Sequence, residues 1–559
     1  MSESKPPVIG KTIGQVLSET ASRYPDHEAL VFLQSGYKCT YSELDQQVDA
    51  AAKGLIALGM EKGDHLAIWS TNHPEWVMLQ FATARIGVVL ITINPAYQES
   101  ELKFVILQSD AKVLALIDRF RSSDYLQILQ NVCPESSKCG AGPIESTDFP
   151  RLKQVLSLSS DNASGLLGWE EFLQRGRHVT DEQLSQRGKQ LSSDDAINIQ
   201  YTSGTTGFPK GAVLTHQNIL LNAWYTGQIQ RFEPHDRVCV PVPLYHCFGC
   251  VLGTLSAAVH ATTMISPHEY FDPTLTLEAI AAEKCTAIYG VPTMFLAQLQ
   301  DSRFSEFDCS SLRTGIMAGN PCPIELMKRV TNEMGVQEIT IAYGLTEASP
   351  VITQTHTTDP IEVRVGTIGR PIPDVEVKII DTDTGVTLEA GHSGELCARG
   401  HVVMCGYYNN EQATALAIDK QGWLHSGDLA IRNDDGCYRI TGRLKDLIIR
   451  GGENISPREI EERLYEHPNI EEVQVVGVPD VKFGEEVLAC IKTNGDQELS
   501  SEQVQEFCRE TLAHFKIPKY VEFLDEFPMT VTGKIQKFKL REWAIKHLGL
   551  QDAADVETA

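Results

Sequence analysis

The sequence predicts an α/β fold of at least two domains, and three observations predict it. A strand–helix–strand unit occupies residues 65–97, the same alternation returns further along, and from about Val375 short strands and turns replace it. In the first unit HLAIWS (His65–Ser70) is apolar and extended. HPEWVMLQFATARIG (His73–Gly87) spaces its apolar residues as a helix does, and VVLITI (Val88–Ile93) is a β-branched run before the turn at Asn94-Pro95. DAKVLALID (Asp110–Asp118) reads as another strand, and KCTAIYGVPTMFLAQLQ (Lys284–Gln300) as a strand followed by a helix. Such alternation implies parallel sheets covered on both faces. Between Pro134 and Asp195 the chain is polar and broken by Gly, Ser and Pro, which predicts an irregular surface excursion with a short helix near Trp169. VEVKIID (Val375–Asp381), GELCARG (Gly394–Gly400) and CYRITG (Cys437–Gly442) predict a small antiparallel sheet or barrel.

A boundary falls near Arg443 to Asp446. Beyond it come the strand DLIIR, the pair Gly451 and Gly452, and the helix PREIEERLYEH with Pro457 at its start. The strands VQVVGV and EVLACIKT and a helix from Ser501 to His514 follow. The domains expected are 1–444, an α+β domain over 445–550, and a frayed acidic tail over 551–559. A chain of 559 residues is too long for one core.

Hydrophobic content of 42% and charged content of 22% are ordinary for a globular protein, and no stretch approaches the ~18 apolar residues of a membrane span. The net charge of −26 argues against nonspecific nucleic-acid binding and against docking on anionic lipid. It also means that any site for a polyanion must carry its own positive charge. The 14 cysteines have no framework spacing, and MSESKPPVIGKTIG at the N-terminus reads as no secretory leader or presequence, so reduced thiols inside a cell are expected. The C-terminal Val-Glu-Thr-Ala is not the Ser-Lys-Leu peroxisomal address. His246, Cys247 and Cys250 offer three metal-type ligands where zinc needs a fourth, so the cysteines read as small apolar fillers.

Chemistry concentrates in a few motifs. YTSGTTGFPKGA (Tyr201–Ala212) holds three glycines, one serine, three threonines and Lys210. Glycine lets backbone N–H groups approach an anion, the hydroxyls of Thr202, Ser203, Thr205 and Thr206 add donors, and Lys210 adds charge, which suits polyphosphate. No Gly-Lys-Ser/Thr ends the run, so it is not the usual P-loop, and by composition alone it also fits a flexible linker. YGLTEAS (Tyr343–Ser349) follows the strand EITIA; there Thr346 can bond a phosphate and Glu347 can hold Mg²⁺, although a solvated loop fits equally. In TGIMAGNPCP (Thr314–Pro323) the small residues Ala318, Gly319 and Asn320 leave room for a flat ring, or make an ordinary strand–helix turn. In WLHSGDLA, Asp428 after Ser426-Gly427 suits two ribose hydroxyls, with Arg443 of TGRLKD as second contact, or is a plain turn residue. Lys534, in TVTGKIQKFKLRE, follows Gly533 near the end of the small domain. No Gly-x-Ser-x-Gly elbow, His-Glu-x-x-His or Gly-x-Gly-x-x-Gly after a strand competes.

In order and spacing these motifs resemble the signatures of the adenylate-forming (ANL) superfamily, which holds acyl-CoA synthetases, luciferases and peptide-synthetase adenylation domains; the likeness runs from Gln15 to about Leu550. The resemblance implies a large N-terminal domain of two α/β lobes plus a small β-barrel, with a mobile α+β C-terminal lid hinged at Lys445. It implies two half-reactions. Carboxylate and ATP give an acyl-adenylate and pyrophosphate; a thiol then displaces AMP. It implies a catalytic set of Lys534, Thr346 and His246. ATP contacts are implied from Thr202, Ser203, Gly204, Thr205, Thr206, Gly207, Lys210, Ala318, Gly319, Asn320, Tyr343, Thr346, Asp428, Arg443 and Lys534, and a metal contact from Glu347. Lys534 would stabilise charge as pyrophosphate leaves. Gly451 and Gly452 would line a narrow pantetheine tunnel.

No carrier domain follows Lys534, which favours free coenzyme A, with Arg450, Arg458, Lys516 and Lys519 available to its phosphates. RGGENISPREIEE, AHFKIPKY and TGKIQKFKLRE bring the chain nearest to the medium-chain fatty acid ligases of mitochondria; the absent presequence leaves a cytoplasmic address open. The acyl pocket is expected at His246, Phe248, Met317, Gly344 and Val351, with His246 and Phe248 in an apolar strand and turn forming a gate against water. His246 also fits a core histidine. Alternatives are an aryl-CoA ligase of the 4-coumarate type, a luciferase-like oxygenase, and a catalytically silent nucleotide-binding scaffold.

Overall fold

In the computed structural model the described residues are 5–159, 166–202, 209–320, 322–451, 453–494, 499–530 and 535–554. They form two compact units: Met1–Val377 with Ala398–Leu424, and Lys378–Cys397 with His425–Ala559.

The first unit contains two sheets. One runs, edge to edge, through Gly406–Tyr407, Lys210–Thr215, Ala196–Thr202, Val89–Ile93, His65–Trp69, Val113–Leu116, Gln154–Ser157 and Leu167–Gly168. It is parallel from Ala196–Thr202 onward, and its first two pairings are antiparallel. The other runs Arg370–Pro371, Val351–Gln354, Glu338–Gly344, Thr314–Ala318, Ala287–Gly290, Arg237–Cys239, Thr263–Ser266, Glu28–Phe32 and Tyr37–Thr40, with a parallel centre.

Local chemistry sets the element ends. Thr40 accepts from Glu43 N while the Glu43 carboxylate accepts from Thr40 N, a capping box that opens the helix Tyr41–Ala57. Pro74 begins the helix Pro74–Ile86 and Gly87, at φ 76°, ends it. Nearly every residue of that helix is buried, as is every residue of Val89–Ile93, which is what a sheet covered on both faces demands.

Two expectations are corrected here. The stretch from Pro134 to Asp195 is not all irregular: Gln154–Ser157 joins the sheet beside Val113–Leu116, and Asp181–Gly188 adds a helix to the one at Trp169–Gly176. Val155 and Leu156 are fully buried, but only four residues carry the strand signal amid polar neighbours. Nor do His246 and Phe248 lie in a strand. His246 caps the turn Cys247–Gly249, which continues through a wide turn Cys250–Leu255 into the helix Ser256–His260. That run is apolar throughout, and periodicity alone cannot tell such a run from a buried strand.

In the second unit Ile470–Asp480 and Gly484–Thr493 form a long antiparallel ladder, extended by Ile448–Arg450, Glu453–Ile455 and Tyr520–Phe523. The helix Pro457–Tyr465 covers it, burying Ile460 and Leu464 against Val473, Val475 and Val487. The helix begun at Ser501 stops at Arg509, and His514–Lys516 is a separate 3-10 turn. Gln551–Ala554 is a helical turn where a frayed tail is expected; residues 555–559 of that tail lie outside the described residues. No helix among the described residues is long and apolar enough to cross a membrane.

Candidate active site

The glycine-rich run is the connection of an antiparallel hairpin. Thr202 ends one strand, Lys210 begins the next, and the two are register partners. Ser203, Gly204, Thr205, Thr206 and Gly207 lie outside the described residues. Next to Lys210–Thr215 runs Gly406–Tyr407, pairing Ala212 with Tyr407. This register carries the Tyr407 phenol to Glu347: the hydroxyl donates to Glu347 Oε1 at 2.7 Å, and Thr202 Oγ1 lies 3.4 Å from the same oxygen. Lys210 Nζ stands 5.2 Å from the Tyr407 ring centroid. Burial and the adjoining Glu347 carboxylate push the Tyr407 phenol far up, so it remains a donor. Thr202, Lys210, Glu347 and Tyr407 thus form one cluster.

Thr346 opens the 3-10 turn Thr346–Ala348, just past the strand Glu338–Gly344. Cys247 Sγ is 3.8 Å from Thr346 Oγ1. Burial pushes that thiol up to about 12, so at neutral pH it is a hydrogen-bonding SH group, not a nucleophile. The strands Thr314–Ala318 and Glu338–Gly344 are parallel neighbours, with Ala318 beside Ala342. The turn at Ala318, Gly319 and Asn320 and the turn after Tyr343 therefore leave the sheet at the same edge, the carboxyl edge where α/β sheets bind ligands.

The acyl-pocket residues divide. Phe248 packs 5.5 Å from Tyr289, centroid to centroid, and His246 4.5 Å from Tyr245; both are half-buried. Met317 and Val351 are core, at 0% and 2% exposure, and Asn222 holds both backbone groups of Val351. Gly344 is also small because the backbone demands it. A Cβ there would lie 1.8 Å from the Pro350 carbonyl oxygen, so the return of the chain at Val351 requires glycine.

In the second unit Asp428 and Arg443 are register partners on adjacent strands, with Arg443 Nε 3.1 Å from Asp428 Oδ1. Lys445 lies in the 3-10 turn Leu444–Asp446. Gly451, at φ 60°, donates its N–H to the Phe483 carbonyl at 2.8 Å. Gly452 and Lys534 lie outside the described residues. The four basic residues offered for coenzyme A phosphates are all ion-paired: Arg450 with Glu486, Arg458 with Glu462, Lys516 with Glu459 and Lys519 with Asp480.

With these two groups of residues in place, comparison with known proteins decides the family. The profile described as AMP-binding enzyme matches residues 17–408, and that of the AMP-binding enzyme C-terminal domain matches 459–534. The chain belongs to the AMP-binding enzyme family. It is 48% identical over 546 residues to the putative acyl-CoA synthetase YngI of Bacillus subtilis, covering 98% of this chain and 99% of that protein. To the mitochondrial medium-chain acyl-CoA ligase ACSF2 of Danio rerio it is 44% identical, covering 98% of this chain and 90% of that one. Among solved structures, ATP-bound MatB from Rhodopseudomonas palustris superposes with a TM-score of 0.78 at 28% identity, over 95% of this chain and 99% of that one. The anthranilate CoA ligase AuaEII in complex with anthranoyl-AMP shares the fold, with a TM-score of 0.84 at 24% identity over 97% and 98%.

The structure places beside the candidate residues others that motif reading alone misses. Tyr407 is one, in an unremarked GYY, and only strand register places it at Glu347. Cys247 is another, read from sequence as filler. A third group, Glu395 with His425, adjoins Asp428 in sequence or register: His425 Nδ1 is 2.8 Å from Glu395 Oε2.

Proposed function

We propose that this AMP-forming acyl-CoA ligase joins a medium-chain fatty acid to coenzyme A. The fatty-acid carboxylate attacks the α-phosphorus of ATP, pyrophosphate leaves, and the coenzyme A thiol then attacks the acyl carbon to release AMP. The observation that carries the reading is the meeting of Thr202 and Tyr407 on Glu347, with Lys210 over the Tyr407 ring and Thr346 in the same 3-10 turn as Glu347. In a chain of net charge −26 this is where a polyphosphate meets a lysine and hydroxyl donors. The medium-chain preference is supported by the names of the ACSF2 relatives, as is a mitochondrial address, which fractionation of the source cells tests against the cytoplasm.

Glu347 fits Mg²⁺. The hydrogen bonds its carboxylate receives from Thr202 and Tyr407 both end on Oε1, which suits one-oxygen coordination through a carboxylate. Bound magnesium supplies neutralisation of phosphate charge there. In the same reading Thr346 bonds the α-phosphate, Asp428 and Arg443 hold the ribose, and Ala318–Asn320 border the adenine. Lys534 serves adenylation and the Gly451–Gly452 loop serves thioester formation, with Lys445 as hinge between domains 1–444 and 445–550. His246 and Phe248 shield the adenylate from water.

The test is incubation of purified enzyme with octanoate, Mg²⁺ and ATP labelled in its α-phosphate. An acyl-adenylate that coenzyme A consumes is expected, and its absence defeats the reading. Pyrophosphate release across acids from butyrate to palmitate, with coumarate alongside, tests the substrate class; a maximum on coumarate overturns the fatty-acid assignment.

A further inference from the structure

We propose that Glu395 is a positioning residue that clamps the strand segment carrying Asp428, and so sets how strongly the enzyme distinguishes ribose from deoxyribose in ATP. The inference rests on the ribose role proposed for Asp428.

Glu395 sits in the strand Ser393–Gly400, next to the strand Leu424–Arg432 that bears His425, Ser426, Gly427 and Asp428. It is 9% exposed. Its two oxygens are divided between two residues of that strand: Oε1 accepts from Gly427 N at 3.0 Å, and Oε2 is 2.8 Å from His425 Nδ1. The residue between them is held as well, since Ser426 Oγ donates to the Leu396 carbonyl at 2.6 Å. Asp428 N then donates to Ser426 Oγ at 3.1 Å. Every residue leading into Asp428 is therefore fastened to the strand of Glu395.

The strand needs such a clamp at Gly427. Gly427 adopts φ 71°, a left-handed conformation that glycine visits at little cost but also leaves easily. A buried carboxylate accepting a backbone N–H is a charge-assisted bond, stronger than the neutral bonds usual in turns. The direction of the Asp428 side chain depends on the backbone that Gly427 N fixes, and a ribose contact fails when its acceptor is misaimed.

A metal reading of the same place is weaker. Glu395, Cys397 and His425 bring one ligand atom each within 4.8 Å of one another, but a closed zinc site takes four. His425 Nδ1 already faces the Glu395 carboxylate, and Cys397 Sγ stands further off, at 3.6 Å. Nothing in this geometry needs an ion.

The experiment measures pyrophosphate release by the full chain with ATP, 2′-deoxy-ATP and 3′-deoxy-ATP. It compares wild type, Glu395→Ala, Glu395→Gln and Asp428→Ala. Glu395→Ala is expected to raise KM for ATP about tenfold, the scale of one charge-assisted bond, and to shrink the preference for ATP toward that of Asp428→Ala. KM for octanoate and kcat at saturating ATP stay unchanged. Glu395→Gln, which keeps an acceptor for Gly427 N, recovers part of the preference. An equal fall with all three nucleotides, or an undiminished preference, overturns the clamp while Asp428→Ala still loses it. If Asp428→Ala itself keeps the wild-type preference, the ribose reading falls, and the clamp with it. Should Glu395→Ala fail to fold, Glu395→Asp, which withdraws the carboxylate by one methylene, carries the same expectation, and an unchanged preference there overturns the proposal.

Discussion

Glu347 and Asp428 are both candidate site carboxylates, one on a 3-10 turn and one inside a strand, and they are held in opposite ways. Glu347 is gripped through its side chain: a tyrosine and a threonine hydroxyl meet on one of its oxygens, and neither brings formal charge. Asp428 is held through its backbone, while its carboxylate faces a guanidinium. A carboxylate bonded by neutral hydroxyls is left without a charged partner in those bonds and suits a cation. One already paired with arginine is largely neutralised, and suits neutral hydroxyls better than a metal. The surroundings, more than the residue type, separate a metal role from a sugar role.

The comparison is sharpened most by a residue from neither group. Lys534→Ala is expected to lower acyl-adenylate formation by about 10³-fold, the scale of one well-placed donor to developing charge, while preformed acyl-adenylate still passes to coenzyme A. Rapid-quench assays of the two half-reactions check this, and equal losses in both contradict a lysine devoted to adenylation. Glu347→Gln comes next. It leaves the Tyr407 and Thr202 bonds an acceptor but removes the charge, and is expected to cost about 10²-fold at low magnesium and much less at high magnesium. A loss that magnesium does not relieve removes Glu347 from the metal role.

Asp428→Ala is expected to weaken ATP by ~1–3 kcal/mol, read as a rise in KM for ATP with little change for the fatty acid. An unchanged KM for ATP takes Asp428 out of the ribose site. Tyr407→Phe sharpens the comparison from the other side. It removes one neutral donor from Glu347, and about a tenfold rise in the magnesium needed for half-maximal rate is expected. If kcat falls equally at all magnesium concentrations, Tyr407 acts elsewhere than through Glu347.

How legible was all this in the amino-acid order? The strands His65–Trp69 and Val89–Ile93 and the helix between them announce themselves, because β-branched runs, a helical period, Pro74 and Gly87 agree on where each begins and ends. Gln154–Ser157 does not, since four residues among polar neighbours carry too short a pattern. The segment after His246 fails differently: the run Cys250–Leu255 is wholly buried and has no exposed face to betray its period. Of the site, the motif residues Thr202, Lys210, Thr346, Glu347, Asp428 and Arg443 are visible because their chemistry is local. Tyr407 and Glu395 are invisible because their roles come from register across a sheet, which places residues far apart in the chain side by side. Gly344 carries a further constraint that sequence does not show: a Cβ there would meet the Pro350 carbonyl oxygen.

Cys247 marks the smallest expected effect. It touches Thr346, and a cysteine beside a reacting center invites a nucleophilic role. Its surroundings argue otherwise, because burial holds the thiol near 12 and raises it in the direction that suppresses thiolate. Burial thus suppresses the thiolate, so maleimide should modify Cys247 slowly and with a rate still climbing at pH 9. Cys247→Ala is expected to cost only the hydrogen bond to Thr346, ~0.5–1.5 kcal/mol or a few-fold in rate. Rapid alkylation of Cys247 at neutral pH, or a loss as deep as that of Glu347→Gln, would mean that the thiol takes part in the chemistry and that Thr346 is positioned by something else.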